Sequence, residues 1–267
     1  MRVLRMLTAG ESHGPALTGI LEGLPAGVPF GTALLREQAA RRRAGYGRGN
    51  RMKIEDDAAD ILGGVRMGRT TGGPLALSIP NKDFKNWRDI MAAEGPGPRK
   101  RAVRVPRPGH ADLVGALKYG HEDMRDVLER SSARETAMRV ALATAARSLL
   151  SELGVTVLSR VVSTGGAQDE AGMRAAVDAA KAAGDTVGGV FEVTALGLPA
   201  GLGSYAQWDR RIEGDLAKAV MSLNAVKGVE VGMGFAGAAL RGSQVHDAFY
   251  WNAKRTKVVR KTNRSGG

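Results

Sequence analysis

Hydrophobic and polar positions alternate along the N-terminal part of the chain in a way that predicts several short strands and one helix. The predicted strands cover residues 3–8, 17–24, 59–65 and 74–79. Thr32 is a favourable helix N-cap, and the apolar positions that follow it predict a helix that reaches about Arg43.

The second half of the chain shows longer helical patterns between strand patterns. Met138, Leu142 and Leu149 belong to the apolar stripe of a helix predicted over residues 134–153. The other predicted elements are strands at 155–163, 189–198 and 226–231 and helices at 169–183 and 208–223. Residues 81–109 are polar and basic without a clear period, which is typical of a functional loop such as a lid.

Together these elements predict an α+β fold. Antiparallel, hairpin-like pairs outnumber strand–helix–strand crossovers, and we expect helices packed against the sheets. No repeat at a fixed solenoid period and no linker-like stretch interrupts the chain. We therefore expect a single domain over residues 1–267.

Composition narrows the class of protein. Of the 267 residues, 43% are hydrophobic and 25% are charged, as in globular proteins. The chain has no cysteine, which excludes disulfide frameworks, thiolate nucleophiles and cysteine-based zinc sites. No apolar run approaches the ~20 residues that span a bilayer, and the N-terminus lacks the apolar stretch of a signal peptide. We expect a soluble, cytoplasmic protein without a membrane partner.

The formal net charge of +12 indicates an anionic partner. Arginines surround a glycine-rich segment at residues 41–51, and a second basic group covers residues 104–110. Glycine lets a ligand approach the backbone, and guanidinium groups bind phosphate or carboxylate through paired hydrogen bonds. This pattern favours a small phosphorylated ligand. A nucleic-acid-binding module is the alternative, although only 4% of the residues are aromatic and no nucleic-acid-binding motif is present.

Two histidines lie in segments whose neighbouring residues suggest a role in chemistry. His13 stands between glycines in Gly10-Glu11-Ser12-His13-Gly14, a setting suited to a proton donor beside a ligand. The same segment fits the Gly-x-Ser-x-Gly pattern of serine hydrolases, so a hydrolase that uses Ser12 is a second alternative, although only one short strand precedes the motif. His110 lies in Arg107-Pro108-Gly109-His110-Ala111-Asp112. No histidine pair has the spacing of a helical metal site, and we expect no metal centre.

The segment Arg130-Ser131-Ser132-Ala133-Arg134-Glu135-Thr136-Ala137 opens the predicted long helix. Ser131 or Ser132 is suited to the N-cap, with Glu135 as the partner in a capping box. Hydroxyls and backbone N–H groups at a helix N-terminus, with the charge of Arg134, also make an anion-binding site.

Four of these segments, taken in order along the chain, resemble the chorismate synthase family. They cover residues 10–14, 41–49, 107–112 and 130–137. Two later segments, Met221-Ser222-Leu223-Asn224-Ala225-Val226-Lys227-Gly228-Val229-Glu230 and Thr262-Asn263-Arg264-Ser265-Gly266-Gly267, look like further blocks of that family. The resemblance implies a lyase of the shikimate pathway that converts 5-enolpyruvylshikimate 3-phosphate to chorismate and phosphate by a 1,4-anti elimination. It also implies a β-α-β sandwich fold, a homotetramer and a requirement for reduced FMN, which lends an electron as phosphate leaves and recovers it as the C6 hydrogen departs.

The resemblance also assigns roles by position. His13 would protonate the departing phosphate, and His110 would lie beside the reduced flavin as its proton partner. The residues implied to hold the phosphate and carboxylates of the substrate are Ser12, Arg42, Arg48, Arg51, Arg107, Ser132 and Arg134. The flavin-contacting positions are Ser131, Ser132, Ala133, Asn224 and Ala225. Arg42 and Arg48 also match positions assigned to NADPH in members that reduce their own flavin, which makes NADPH a candidate reductant.

The family pattern continues beyond the last residue of this sequence. A glycine-rich segment and an Arg-His-Asp signature follow in the family, and they supply another arginine and an aspartate near the flavin. A polypeptide that ended at Gly267 is expected to show little or no turnover. An intact mass near 28.1 kDa would exclude a longer chain.

Overall fold

The computed structural model describes residues 4–48, 55–95 and 101–265. The chain divides into two compact units, Met1–Leu198 and Pro199–Gly267. The single domain expected from the sequence over residues 1–267 stays a prediction.

A four-stranded antiparallel sheet forms the centre of the first unit, in the order β1-β2-β6-β3. The strands of the N-terminal region are β1 (Arg5–Ala9), β2 (Ala16–Glu22), β3 (Asp60–Gly63), β4 (Val65–Arg66), β5 (Arg69–Thr70) and β6 (Leu75–Pro80). Strand β6 lies between β2 and β3, with Gly19 opposite Leu77 and Asp60 opposite Ser78. The short β4–β5 hairpin is a separate two-stranded sheet.

One face of this sheet packs against helix α4 (Thr136–Glu152), and helix α1 (Thr32–Arg43) packs against α4. In β2, alternate residues are buried, with Leu17 and Leu21 each 1% exposed. Gly19 lies between them, and a Cβ atom there would be 2.7 Å from the Met138 side chain. The missing side chain thus lets α4 pack closely on the sheet, and this contact is the centre of the core.

The described residues in the remainder of the first unit include three helices and a hairpin of long strands. These elements are α2 (Asp112–Tyr119), α3 (Arg125–Ser131), β7 (Thr156–Thr164), α5 (Glu170–Ala182) and β8 (Gly189–Leu196). Strands β7 and β8 pair antiparallel, with a register shift between Val161 and Ser163. Every strand pair of the described residues is antiparallel, which agrees with the predicted α+β class.

The second unit contains helices α6 (Ile212–Met221) and α7 (Gly242–Val245) and the hairpin β9 (Phe249–Trp251) and β10 (Val258–Arg260). The Asp247 carboxylate anchors the chain that follows β10. It accepts hydrogen bonds from the Thr262 hydroxyl at 2.6 Å and from the Arg264 backbone N–H at 2.8 Å.

Several predicted elements need correction. The strand predicted at 226–231 is absent, because Ala225 has a left-handed backbone with φ of 67° and Val226 closes a turn on the Leu223 carbonyl. The strand predicted at 59–65 is divided at Gly64, whose φ is 84°. The helix predicted at 208–223 begins at Ile212, because Arg211 is extended.

The beginning of the long helix also differs from the prediction. A 3₁₀ turn (Ala133–Glu135) precedes α4, and Ser131 ends α3 instead of capping α4. The Ser132 hydroxyl caps the turn by accepting the Arg134 backbone N–H at 3.3 Å. Glu135 instead binds the Thr8 hydroxyl and the Arg139 guanidinium, so the predicted capping box does not form.

Within the described residues, no helix has the length and apolar character needed to cross a bilayer.

Candidate active site

The loop between β1 and β2 presents Ser12 and His13. Gly10 begins the loop with φ of 99°, and a Cβ atom there would be 2.4 Å from the Ala16 carbonyl oxygen. Only glycine fits this turn. The Asn81 side chain, at the end of β6, donates to the Gly14 carbonyl at 2.9 Å and so fixes the far side of the loop.

His13 is held by Glu129 of helix α3. Its ring nitrogen Nδ1 lies 2.8 Å from Glu129 Oε2 and 3.0 Å from Oε1, and its backbone N–H donates to Oε2 at 2.9 Å. The Trp87 ring stacks on the imidazole at a centroid distance of 3.8 Å and an interplanar angle of 27°. The His13 side chain is 20% exposed, so the ring is oriented by its neighbours and still accessible from solvent.

Glu129 is a fully buried carboxylate that contacts both His13 and Arg125. Arg125, four residues earlier on α3, donates to Glu129 Oε1 at 2.8 Å. Burial raises the pKa of Glu129, but the hydrogen bonds and charges of His13 and Arg125 outweigh burial and hold that pKa below its ordinary value. Glu129 is therefore a carboxylate at neutral pH.

Ser12 connects the His13 loop to the turn before α4. Its side chain is buried, and the Ser132 hydroxyl donates to the Ser12 hydroxyl oxygen at 3.1 Å. The Ser12 backbone N–H also donates to the Glu129 carbonyl at 2.9 Å. These bonds place the 3₁₀ turn that carries Ser132 and Arg134 beside the loop that carries His13.

Arg42 and Arg134 meet in a buried cluster of charges. Arg42, at the end of α1, donates to Asp57 Oδ2 at 2.6 Å, to the Thr136 hydroxyl at 3.1 Å and to the Ala133 carbonyl at 3.3 Å. Arg134 Nη2 lies 2.9 Å from Glu55 Oε2. Burial lowers the pKa of Arg42 below its ordinary value, although the charge of Asp57 opposes this effect. The cluster therefore presents two guanidinium groups beside the Ser132 turn.

The guanidinium of Arg134 is ion-paired with Glu55, but its N–H groups lack hydrogen bonds of good geometry. The side chain is 7% exposed, and its three nitrogens Nε, Nη1 and Nη2 make no hydrogen bond within the described residues, despite the nearby Glu55 carboxylate. Buried N–H groups usually have partners. These donors suit an anionic ligand that accepts hydrogen bonds.

His110 and Arg107 form a second charged group with Asp112, the first residue of α2. His110 Nδ1 lies 2.5 Å from Asp112 Oδ1, and Arg107 Nε donates to Asp112 Oδ2 at 2.9 Å. The hydrogen bond from Arg107 lowers the pKa of Asp112 to about 2. The same bond raises the pKa of Arg107, and the charge of Glu129 adds to this at longer range.

The remaining candidate residues are more scattered. Arg48 is exposed and donates through Nε to the Ala44 carbonyl, while Arg51 lies outside the described residues. The Ser131 hydroxyl donates to the Val127 carbonyl within α3. Asn224 and Ala225 belong to the second unit, where Ala225 has the left-handed backbone noted above.

Known proteins match this chain in both sequence and fold. A sequence profile described as chorismate synthase matches residues 4–267. The chain is 50% identical to a chorismate synthase of Thermus thermophilus and 52% identical to that of Desulforudis audaxviator, with 99% of this chain and 75% of each relative covered. A crystal structure of chorismate synthase, 38% identical in sequence, superposes with a TM-score of 0.81 over 100% of this chain and 80% of that one.

The chain belongs to the chorismate synthase family. The resemblance inferred from the sequence segments is thus confirmed, as is the α+β fold expected for a chorismate synthase. A serine hydrolase and a nucleic-acid-binding module are both set aside by this family membership.

Four buried or stacked residues of this chorismate synthase site had no role in the sequence reasoning. They are Glu55, Asp57, Trp87 and Glu129. A carboxylate in a polar stretch is indistinguishable in sequence from a solvated one, so three of them gave no local signal. Trp87 did give one, because a tryptophan is rare in a polar, basic loop.

The residues around the Ser132 turn fit the reduced flavin that the chorismate synthase family uses. The Ser132 hydroxyl, the Ala133 carbonyl and the Arg134 guanidinium, which is ion-paired with Glu55, offer donors and acceptors of the kind that a flavin phosphate or ring edge requires. Within the described residues, no group of three or more histidine, aspartate or glutamate side chains is arranged to hold a metal ion.

Proposed function

We propose that His13, His110 and the surrounding arginines carry out the chemistry of the chorismate synthase family in this chain. As a member of that family, the chain is a carbon–oxygen lyase that releases phosphate from 5-enolpyruvylshikimate 3-phosphate and forms chorismate for aromatic amino-acid biosynthesis. The observation that supports the residue roles best is the Glu129–His13–Ser12–Ser132 connection, which joins a histidine to the Arg134 turn.

Substrate binding is the role proposed for the arginines. The substrate carries a phosphate and two carboxylates, and fixed guanidinium groups neutralise such an anion without mobile counter-ions. Arg42, Arg107 and Arg134 are held by carboxylates that fix their positions. Ser12, Ser132, Arg48 and Arg51 complete the proposed substrate site.

His13 is proposed as the proton donor to the leaving phosphate. Elimination moves negative charge onto the phosphate oxygen, where a pre-placed proton donor and cations stabilise the transition state most. Because Nδ1 is bound to Glu129, the opposite ring nitrogen Nε2 is the one that faces away from this carboxylate. We assign the transferred proton to Nε2.

Reduced FMN is the proposed cofactor. When bound, reduced FMN would supply transient electron transfer that assists the departure of phosphate with no net redox change. Ser131, Ser132, Ala133, Asn224 and Ala225 are the residues proposed to hold it, with His110 beside the ring as a proton partner. Arg42 and Arg48 would hold NADPH if this protein reduces its own flavin.

The proposed activity is tested by anaerobic incubation of the protein with reduced FMN and 5-enolpyruvylshikimate 3-phosphate. We expect equal amounts of phosphate and of a diene that absorbs in the ultraviolet, and no product with oxidised FMN. The absence of phosphate release with a fully reduced flavin would count against the proposal. We also propose a cytoplasmic location and a homotetramer. Sedimentation analysis of the purified protein checks the homotetramer.

A further inference from the structure

Glu129 is a completely buried carboxylate that contacts the proposed catalytic residue His13. It lies on α3, its side chain has no exposed surface, and it is 116 positions from His13 in the sequence. A buried charge is costly unless ion pairs and hydrogen bonds compensate for it. His13 and Arg125 supply that compensation here.

The contacts of Glu129 constrain both the backbone and the ring of His13. Its Oε2 accepts the His13 backbone N–H at 2.9 Å and lies 2.8 Å from Nδ1 of the same residue. An ionised carboxylate only accepts hydrogen bonds, so a proton must lie on Nδ1. The ring orientation and the tautomer are therefore both determined by this one side chain.

Two neighbours keep the ring and the carboxylate in place. Trp87 stacks on the imidazole and limits rotation of the ring. Arg125 donates to Glu129 Oε1 and also donates twice to the Arg101 carbonyl, at 2.6 and 3.0 Å. Both arginines lie over the Trp87 ring, at 4.7 Å for Arg101 and 5.2 Å for Arg125. The carboxylate is thus held from the side opposite His13.

We propose that Glu129 is the positioning residue for His13 in the elimination reaction. By binding Nδ1–H, it directs Nε2–H of the imidazolium toward the phosphate oxygen. As the substrate C–O bond breaks, its electron pair goes to that oxygen, which takes the Nε2 proton. The imidazole is left neutral, with its remaining proton on Nδ1 still bound to Glu129. This inference rests on the role proposed for His13.

A purely structural role for Glu129 predicts different behaviour. The backbone carbonyl of Glu129 accepts the Ser12 N–H whatever its side chain, so the loop keeps one anchor in a Glu129→Gln variant. Glutamine has nearly the same shape, but it lacks the charge and presents an N–H group on one side. A structural role therefore predicts a change in thermal stability with normal turnover, whereas a positioning role predicts a lower kcat with a similar KM.

The experiment compares Glu129→Gln with Glu135→Gln as the matched control. Glu135 is also buried and also joins a hairpin residue, Thr8, to a nearby arginine, but it contacts no histidine in the hydrogen bonds described. We expect kcat of Glu129→Gln to fall by about tenfold to a hundredfold, which is less than the full contribution of a general acid. We expect KM to change by less than about threefold, because the arginines hold the substrate. Glu135→Gln should keep the wild-type kcat.

The second readout is the nitrogen-15 spectrum of the His13 ring, assigned by its loss in His13→Ala. In spectra recorded at a pH where the ring has lost one proton, wild-type His13 should keep the remaining proton on Nδ1, whereas in Glu129→Gln that proton should lie on Nε2. Unchanged ring shifts and unchanged kcat in Glu129→Gln, with His13→Ala inactive, would overturn the proposal for Glu129 alone. Wild-type turnover in His13→Ala would instead overturn the proposed role of His13.

Discussion

Removing the charge of Asp57 tests the buried cluster that positions Arg42 and Arg134. The Asp57 side chain is 3% exposed, accepts from Arg42 at 2.6 Å and lies 3.9 Å from Arg134. Its φ of 51° is in the left-handed region, which asparagine tolerates as well as aspartate. Asp57→Asn therefore removes the charge without adding backbone strain.

The expected loss of stability follows from the partners that remain. Removing one member of a buried ion pair costs about 3–5 kcal/mol, because the other charge stays buried without compensation. Arg42 is 16% exposed and keeps its bonds to Ala133 and Thr136, so we expect the lower end, about 3 kcal/mol. For a chain of this size, that corresponds to a fall in Tm of about 6–12 °C.

The adjacent Asp56 provides a matched control in the same segment. Its carboxylate pairs with Lys82 at 2.7 Å, but the two side chains are 48% and 53% exposed. An exposed pair of this kind contributes at most about 1 kcal/mol. Asp56→Asn should therefore lower Tm by less than about 4 °C.

Differential scanning calorimetry of the two variants and the wild-type protein gives the comparison. We expect the thermal midpoint of Asp57→Asn to fall well below that of Asp56→Asn. Equal midpoints for the two variants would refute the reasoning, because they would show that the Asp57 charge is not buried against the arginines.

Other predictions concern the core, the pH dependence and the second unit. Gly19→Ala places a methyl group 2.7 Å from the Met138 side chain and should lower the free energy of unfolding by about 1–3 kcal/mol, as measured by urea unfolding. Gly63→Ala is the control, because a Cβ atom there meets nothing within 4 Å, and it should change the free energy of unfolding by less than about 0.5 kcal/mol. The pKa of Asp112 is lowered from 3.8 to about 2, so its stabilisation is complete above pH 3.8 and is lost as the pH falls toward 2. The difference in urea midpoint between wild-type protein and Asp112→Asn should therefore narrow between pH 6 and pH 3, and a constant difference would contradict this. Hydrogen bonds, first of all from a threonine hydroxyl, hold the pKa of Asp247 well below its usual range, so Asp247→Ala should speed amide exchange at residues 262–265 and leave peptides of the first unit unchanged.

Helices and strands were predictable from the sequence where a hydrophobic pattern within the segment itself was clear. Helix α1 (Thr32–Arg43) ends where it was predicted to end, but Gly31 is its N-cap and Thr32 is its first residue. The apolar run predicted as a strand over residues 17–24 corresponds to β2 (Ala16–Glu22). Helices α2 and α3 were missed because they have 8 and 7 residues within a polar stretch, too short for an apolar stripe to stand out. The strand predicted at 226–231 was wrong because alternation alone does not provide a partner strand.

The candidate site also contains some residues that a local sequence pattern predicts and others that only the tertiary structure reveals. Glycines beside His13, and serines before Arg134 at a predicted helix N-terminus, marked these two residues as chemically significant, because both patterns are visible within a few residues. The partner of His13 is 116 positions away, and the partners of Arg134 are carboxylates that look solvated in sequence. Once buried, those carboxylates can fix the positions of His13 and Arg134. Which carboxylates become buried depends on tertiary packing, which the local sequence does not show.

The central claim is that His13 and His110 are the proton-transferring groups of this lyase. The most direct test measures kcat and KM anaerobically with reduced FMN for His13→Ala, His110→Ala and the control His121→Ala, whose ring is 37% exposed and pairs only loosely with Asp126. We predict that kcat falls about a hundredfold or more in the first two variants while KM changes little, and that His121→Ala keeps the wild-type values. Wild-type kcat in both His13→Ala and His110→Ala would contradict the account.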